Sequence, residues 1–136
     1  MTFTDEEIKR EKISVAYDDE WQFNDEEKTV DVRFYGFENR LRRFFNLEDD
    51  YGNDWIDCYA TIDPVKEIVT EIYMQFVSNC DMPDRELQIK ITNIPEGKAL
   101  LNALLDSDKD WGRFIRFIED AKNEYGKENN QRTRRR

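Results

Sequence analysis

Residues 56–77 read IDCYATIDPVKEIVTEIYMQFV, and the fold turns on how this stretch divides. Ile56, Cys58, Ala60 and Ile62 alternate with Asp57, Tyr59 and Thr61, the period-two pattern of a strand with one buried face. Asp63-Pro64 then marks a boundary. Asp caps helices, and Pro at the first helical position gives up no hydrogen bond. Val65, Ile68, Val69, Ile72, Phe76 and Val77 follow as a wide apolar stripe, which predicts a helix ending near Ser78-Asn79.

Working outward from this stretch, the N-terminal side alternates again. Val30, Val32 and Phe34 interleave with Asp31, Arg33 and Tyr35, and Ile13, Val15 and Tyr17 suggest an earlier strand. Asn24 to Lys28 supplies the charged turn of a hairpin between them. Thr4 with Glu7 has capping-box spacing, so a helix over residues 5–12 is expected. Phe37, Leu41, Phe44 and Phe45 predict a second helix, whose other side carries Arg40, Arg42 and Arg43. A loop around Gly52 leads into Ile56. On the C-terminal side, Leu87, Ile89 and Ile91 mark a strand that Ile94-Pro95 ends. Leu100, Leu101, Leu104 and Leu105 form a compact helix, and Ser107 caps a last one bearing Trp111, Phe114, Ile115, Ile118 and Ala121. The expectation is an α+β (or α/β) domain, a four-stranded mixed sheet covered by about four to five helices. Residues 1–126 form its acidic globular part, and residues 127–136 a basic, disordered tail.

Charge narrows the partner. The formal net charge is -10, and the four arginines of 132–136 mask a remainder of -14. Such a surface repels nucleic acid and anionic membrane and attracts basic proteins. A 13% aromatic content argues for a folded chain rather than a disordered one. Thr4-Asp5-Glu6-Glu7 is unlike the start of a secretory signal, and no apolar run reaches the length of a membrane span. A cytoplasmic setting with Cys58 and Cys80 reduced is therefore expected.

Candidate chemistry is sparse. There is no histidine, hence no Ser-His or Cys-His pair and no ordinary zinc ligand set. The five glycines are isolated, and none precedes a Lys-Ser or Lys-Thr pair. Pro83-Asp84 ahead of Glu86 and Lys90 departs from the PD-(D/E)xK nuclease pattern, because the second acid position is Gln88 and the intervening segment is too short. Glu48 to Asp54 lacks the alternate acids and distal glutamate of a calcium loop. No cofactor, metal or catalytic residue is expected.

The acids themselves are the candidate site. They come as Asp18-Asp19-Glu20, Asp25-Glu26-Glu27 and Glu48-Asp49-Asp50, joined by Asp54 and interleaved with the aromatics Trp21, Phe23, Tyr51 and Trp55. Aromatics beside charge are what interface anchors look like. Same-face side chains on a strand lie about 6.6–7 Å apart, close enough for two strands and their loops to approximate a short run of phosphates. The expected function is thus non-enzymatic: an inhibitor that binds a basic nucleic-acid-handling enzyme by imitating its substrate. Small acidic anti-CRISPR and anti-restriction proteins act in this manner, an analogy of charge and size alone. The alternatives are an immunity-type or adaptor protein for a basic partner, and direct nucleic-acid binding through Arg40, Arg42, Arg43 and the arginine tail.

Overall fold

The computed structural model describes residues 3–44, 55–77 and 85–134. The chain runs α1 (Asp5–Glu11), β1 (Ser14–Val15), a 3₁₀ turn (Asp18–Glu20), β2 (Trp21–Asn24), β3 (Thr29–Tyr35) and α2 (Glu38–Phe44). It continues with β4 (Trp55–Asp63), β5 (Ile68–Val77), β6 (Arg85–Lys90), α3 (Ile94–Ser107) and α4 (Arg113–Arg134). The fold is α+β, as the alternation implies. Among the described residues the sheet has six strands, not four, in the order β1-β3-β4-β5-β6, with β2 also on β3. Every ladder between them is antiparallel, not mixed.

Two strands account for the difference. Residues 68–77 are strand β5, not a helix. Their apolar positions fit both periods, because a spacing of four is a multiple of two. The register shifts opposite Thr61/Ile62, which pairs Ile62 with Val69 and Thr61 with Glu71. Thr70 is the extra residue, a β-bulge, and the same-face step from Val69 to Ile72 becomes three, as in a helix. Asp63 caps a turn here: its Oδ1 accepts the N–H groups of Val65 and Lys66, each at 3.1 Å. The second strand is β2, which forms the hairpin with β3 in place of β1. β1 is only two residues long and pairs further along β3, with Phe34 and Tyr35.

One face of the sheet is covered. Val30, Val32, Phe34, Cys58, Ala60, Ile62, Val69, Ile72 and Met74 are buried beneath Leu100, Leu101 and Leu104 of α3 and Phe114, Ile118 and Ala121 of α4. Gly97 lets α3 seat itself, since a Cβ there would lie 2.7 Å from the Val69 carbonyl oxygen. Pro95 sits in the first turn of α3 behind the Asn93 cap. Asp108, and not Ser107, caps α4 by accepting the Phe114 N–H at 2.8 Å. That helix runs on to Arg134, past the boundary expected at residue 126. α1 and α2 close the near end through Phe3 and Phe37, whose ring centroids are 4.5 Å apart. No helix among the described residues is long and apolar enough to cross a membrane.

Candidate protein-binding surface

The acidic triplets flank one short strand. Asp18, Asp19 and Glu20 form the 3₁₀ turn before β2, and Asp25, Glu26 and Glu27 lie in the turn after it. The four residues of β2 separate Glu20 from Asp25, a span of about 17 Å along the edge of the sheet. Asp18, Asp19, Glu26 and Glu27 are exposed. Asp25 is exposed as well, and its Oδ1 accepts the Tyr125 hydroxyl at 2.9 Å. Glu20 turns toward Arg33, 3.6 Å away. Glu48, Asp49, Asp50, Tyr51 and Asp54 lie outside the described residues. Trp55 opens β4, opposite Val77.

Trp21 is placed inward. Its indole N–H donates to the Ala16 carbonyl at 2.9 Å, which pins the acidic turn from beneath. Its ring packs 5.1 Å from Phe114 and 5.4 Å from Phe117. The turn is thus presented on a packed support, not on a free loop.

Other aromatics face solvent. Tyr17 is 82% exposed, Trp111 77% and Tyr35 51%. All three line one cleft of about 610 Å³ between β1 and the α3–α4 connection, with Asp18, Asp108 and Arg113 beside them. The tight loop from Asp108 to Gly112 throws Trp111 outward. Asp108 O accepts the Gly112 N–H at 2.8 Å, and Gly112 has φ +68°, where a side chain would be strained. A second concavity, about 590 Å³ between α1 and α3, has no aromatic lining.

Sequence reading missed Tyr17 and Trp111 as anchors. Tyr17 alternates with Ile13 and Val15, and Trp111 extends the apolar face of α4, so each resembles a core position. The available signal was adjacency: Tyr17 abuts Asp18, and Trp111 follows Asp108 and Asp110.

From Tyr35 the surface continues onto the face of the sheet opposite α3 and α4, where Arg33, Tyr59 and Tyr73 are half-buried and Asp57 is buried. Arg33 Nη2 meets Asp57 Oδ1 at 2.6 Å, and its guanidinium carbon lies 5.8 Å from the Tyr35 ring centroid. Tyr59 and Tyr73 stand opposite one another, with ring centroids 6.2 Å apart. Burial and then the Asp57 charge push the Tyr59 hydroxyl above its ordinary pKa, against the pull of Arg33. It stays protonated, able to donate a hydrogen bond.

Nucleophilic chemistry finds little footing here. Burial, then the charges of Asp57 and Glu38, push the Cys58 thiol up to about 12, and the thiol donates to the Gly36 carbonyl at 3.1 Å. A thiol so held is not a nucleophile near neutral pH. Among the described residues, no three His, Cys, Asp or Glu side chains are grouped to hold a metal ion. Of the basic face on α2, Arg40 is locked against buried Glu7 and over the Phe3 ring at 4.2 Å, and Arg42 pairs with Glu38 at 3.0 Å. Comparison of the chain with family models, with curated proteins and with solved structures gives no match.

Proposed function

We propose that this chain is a non-enzymatic, cytoplasmic binding protein that inhibits a basic nucleic-acid-handling enzyme by occupying its substrate channel. The observation that carries the reading is the placement of solvent-exposed Tyr17 and Trp111 around a cleft beside the acidic turn Asp18–Glu20. Two large aromatics in water are costly to a merely soluble face, and they are the side chains that dominate protein interfaces. The acids supply long-range steering toward a positive partner, and the aromatics supply short-range affinity. The second triplet at Asp25–Glu27 extends the line of charge along the same edge.

Affinity capture from lysate tests this with three baits: wild type, Tyr17→Ala/Trp111→Ala, and the triple reversal of Asp18, Asp19 and Glu20 to Lys. The expected result is a basic nucleic-acid-binding protein held by the wild type alone, insensitive to nuclease and released at high salt. Equal capture by all three baits would remove the surface from the proposal. A hydrophobic adaptor role would give the same dependence on Tyr17 and Trp111 with little salt sensitivity. Direct nucleic-acid binding would show as capture lost on nuclease treatment. Two of the three guanidiniums that reading relies on in α2 are already engaged by carboxylates.

A further inference from the structure

The backbone of β6 has one side paired with β5 and one side that no described strand meets. Ile91 N–H donates to the Thr70 carbonyl at 2.9 Å, and Ile72 pairs with Ile89 and Met74 with Leu87. Hydrogen-bonded pairs alternate along an antiparallel ladder. Leu87, Ile89 and Ile91 therefore spend their backbone groups on β5, while the N–H and C=O groups of Glu86, Gln88 and Lys90 point away from it. The sheet order ends at β6, so no described strand meets them. The ladder to β5 is continuous from Arg85 to Lys90, with no bulge, and the segment contains no proline. A continuous edge without bulge or proline is a template for another strand, and its charges select which strand that is.

We propose that β6 is the seam of a two-fold homodimer, in which the β6 strands of two copies pair antiparallel about Gln88. Only a pairing centred on a residue keeps like faces together, and centring on Gln88 uses the outward groups of all three residues. Gln88 then opposes the partner's Gln88, and Glu86 opposes the partner's Lys90, with the reciprocal pair generated by symmetry. These three hydrogen-bonded pairs supply about six backbone bonds. The charges agree with the register. Glu86 and Lys90 are exposed, and neither is in an ion pair with a described residue. Each gains an opposite charge directly across the seam. On the other face, Leu87 comes beside the partner's Ile89. A seam this narrow buries less than a standard interface, so dissociation on the order of 10–100 µM is expected.

Sedimentation velocity from about 5 to about 500 µM, bracketing that constant, tests the proposal. Wild type should shift from monomer to dimer across the range. Lys90→Glu sets like charges opposite each other and should remain monomeric, while Glu86→Lys/Lys90→Glu should dimerise again because the swap restores both pairs. Gln88→Pro removes an outward N–H that β5 does not use, so it should abolish dimerisation and leave the far-UV circular dichroism unchanged. A wild-type chain monomeric throughout, or a Lys90→Glu variant dimerising like wild type, would overturn the seam. Failure of the double swap to regain the dimer would overturn the register about Gln88.

Discussion

The two edges of the sheet solve the same problem differently. At one edge, β1 and β2 share a single partner strand and are separated by the 3₁₀ turn, so no long row of backbone groups is presented. Part of what is left is occupied: Val15 N–H donates to Ser107 Oγ at 3.0 Å, and the Ala16 carbonyl accepts from Trp21. At the other edge, β6 is six residues long and continuous. Interrupted strands, side-chain caps and charge are the usual means of blocking edge pairing. Among the described residues, interruption and side-chain caps are found at one end of the sheet only, while β6 carries charge in Glu86 and Lys90 but no break. The closed edge is free to display side chains; the open one displays backbone.

The sharpest way to break the contrast is a pair of proline substitutions in β6. Leu87→Pro removes an N–H bonded to β5 along with a buried side chain, and should cost at least about 4 kcal/mol. Gln88→Pro, one residue on, should cost under about 1 kcal/mol, since edge strands tolerate proline where the N–H faces outward. Chemical denaturation of both variants measures the difference. Similar losses would mean that the hydrogen-bond alternation along β6 is assigned to the wrong residues.

Trp21→Ala attacks the closed edge. Removing the ring from Phe114 and Phe117, and the indole bond to Ala16, should cost about 3 kcal/mol and loosen the acidic turn. Denaturant midpoints, together with amide exchange at Asp18 to Glu20, report both effects. A variant as stable as wild type would mean that the turn holds without its support.

Between the edges, Cys58 sits on β4, flanked on both sides by strands. The unfolded thiol ionises near 9.0 and the folded one near 12. Over that window the folded chain holds the extra proton, so stability is intact below pH 9 and falls as pH rises. The slope from this group approaches about 1.4 kcal/mol per pH unit. The difference between wild type and Cys58→Ala, measured from about pH 8 upward in a Cys80→Ser background, should show that slope. Parallel curves would exclude it.

Ser107→Ala is the mildest test. It frees the Val15 N–H to water and should cost about 1 kcal/mol or less. Exchange of the Val15 amide should accelerate while β6 amides stay unchanged.

Local pattern was enough to read much of this fold. α1, β3, β4, β6 and α3 follow from alternation, capping and apolar period, all properties of consecutive residues. β5 escaped because the Thr70 bulge inserts a helical step into a strand. Its β-branched content (Val69, Thr70, Ile72 and Val77) was the counter-signal. β2 escaped because four residues between two acid clusters carry too little alternation to register. The site divides in the same way. Charge is visible in composition, so Asp18–Glu20 and Asp25–Glu27 stood out. Whether an aromatic is anchor or core depends on what packs against it. Trp21 is drawn inward by Phe114 and Phe117, more than ninety residues away in sequence, and nothing local foretells that.

That distance has a consequence for synthesis. Phe3 N–H is held by Glu96 Oε1, Asp18 by Arg113, and Asp25 by Tyr125, contacts spanning 93, 95 and 100 residues. On the ribosome, α1 through β3 emerge first and must wait for α3 and α4 before their apolar side is covered. Until then, Val30, Val32 and Phe34 face water. The nascent N-terminal third is thus the stretch whose apolar side waits longest for its cover.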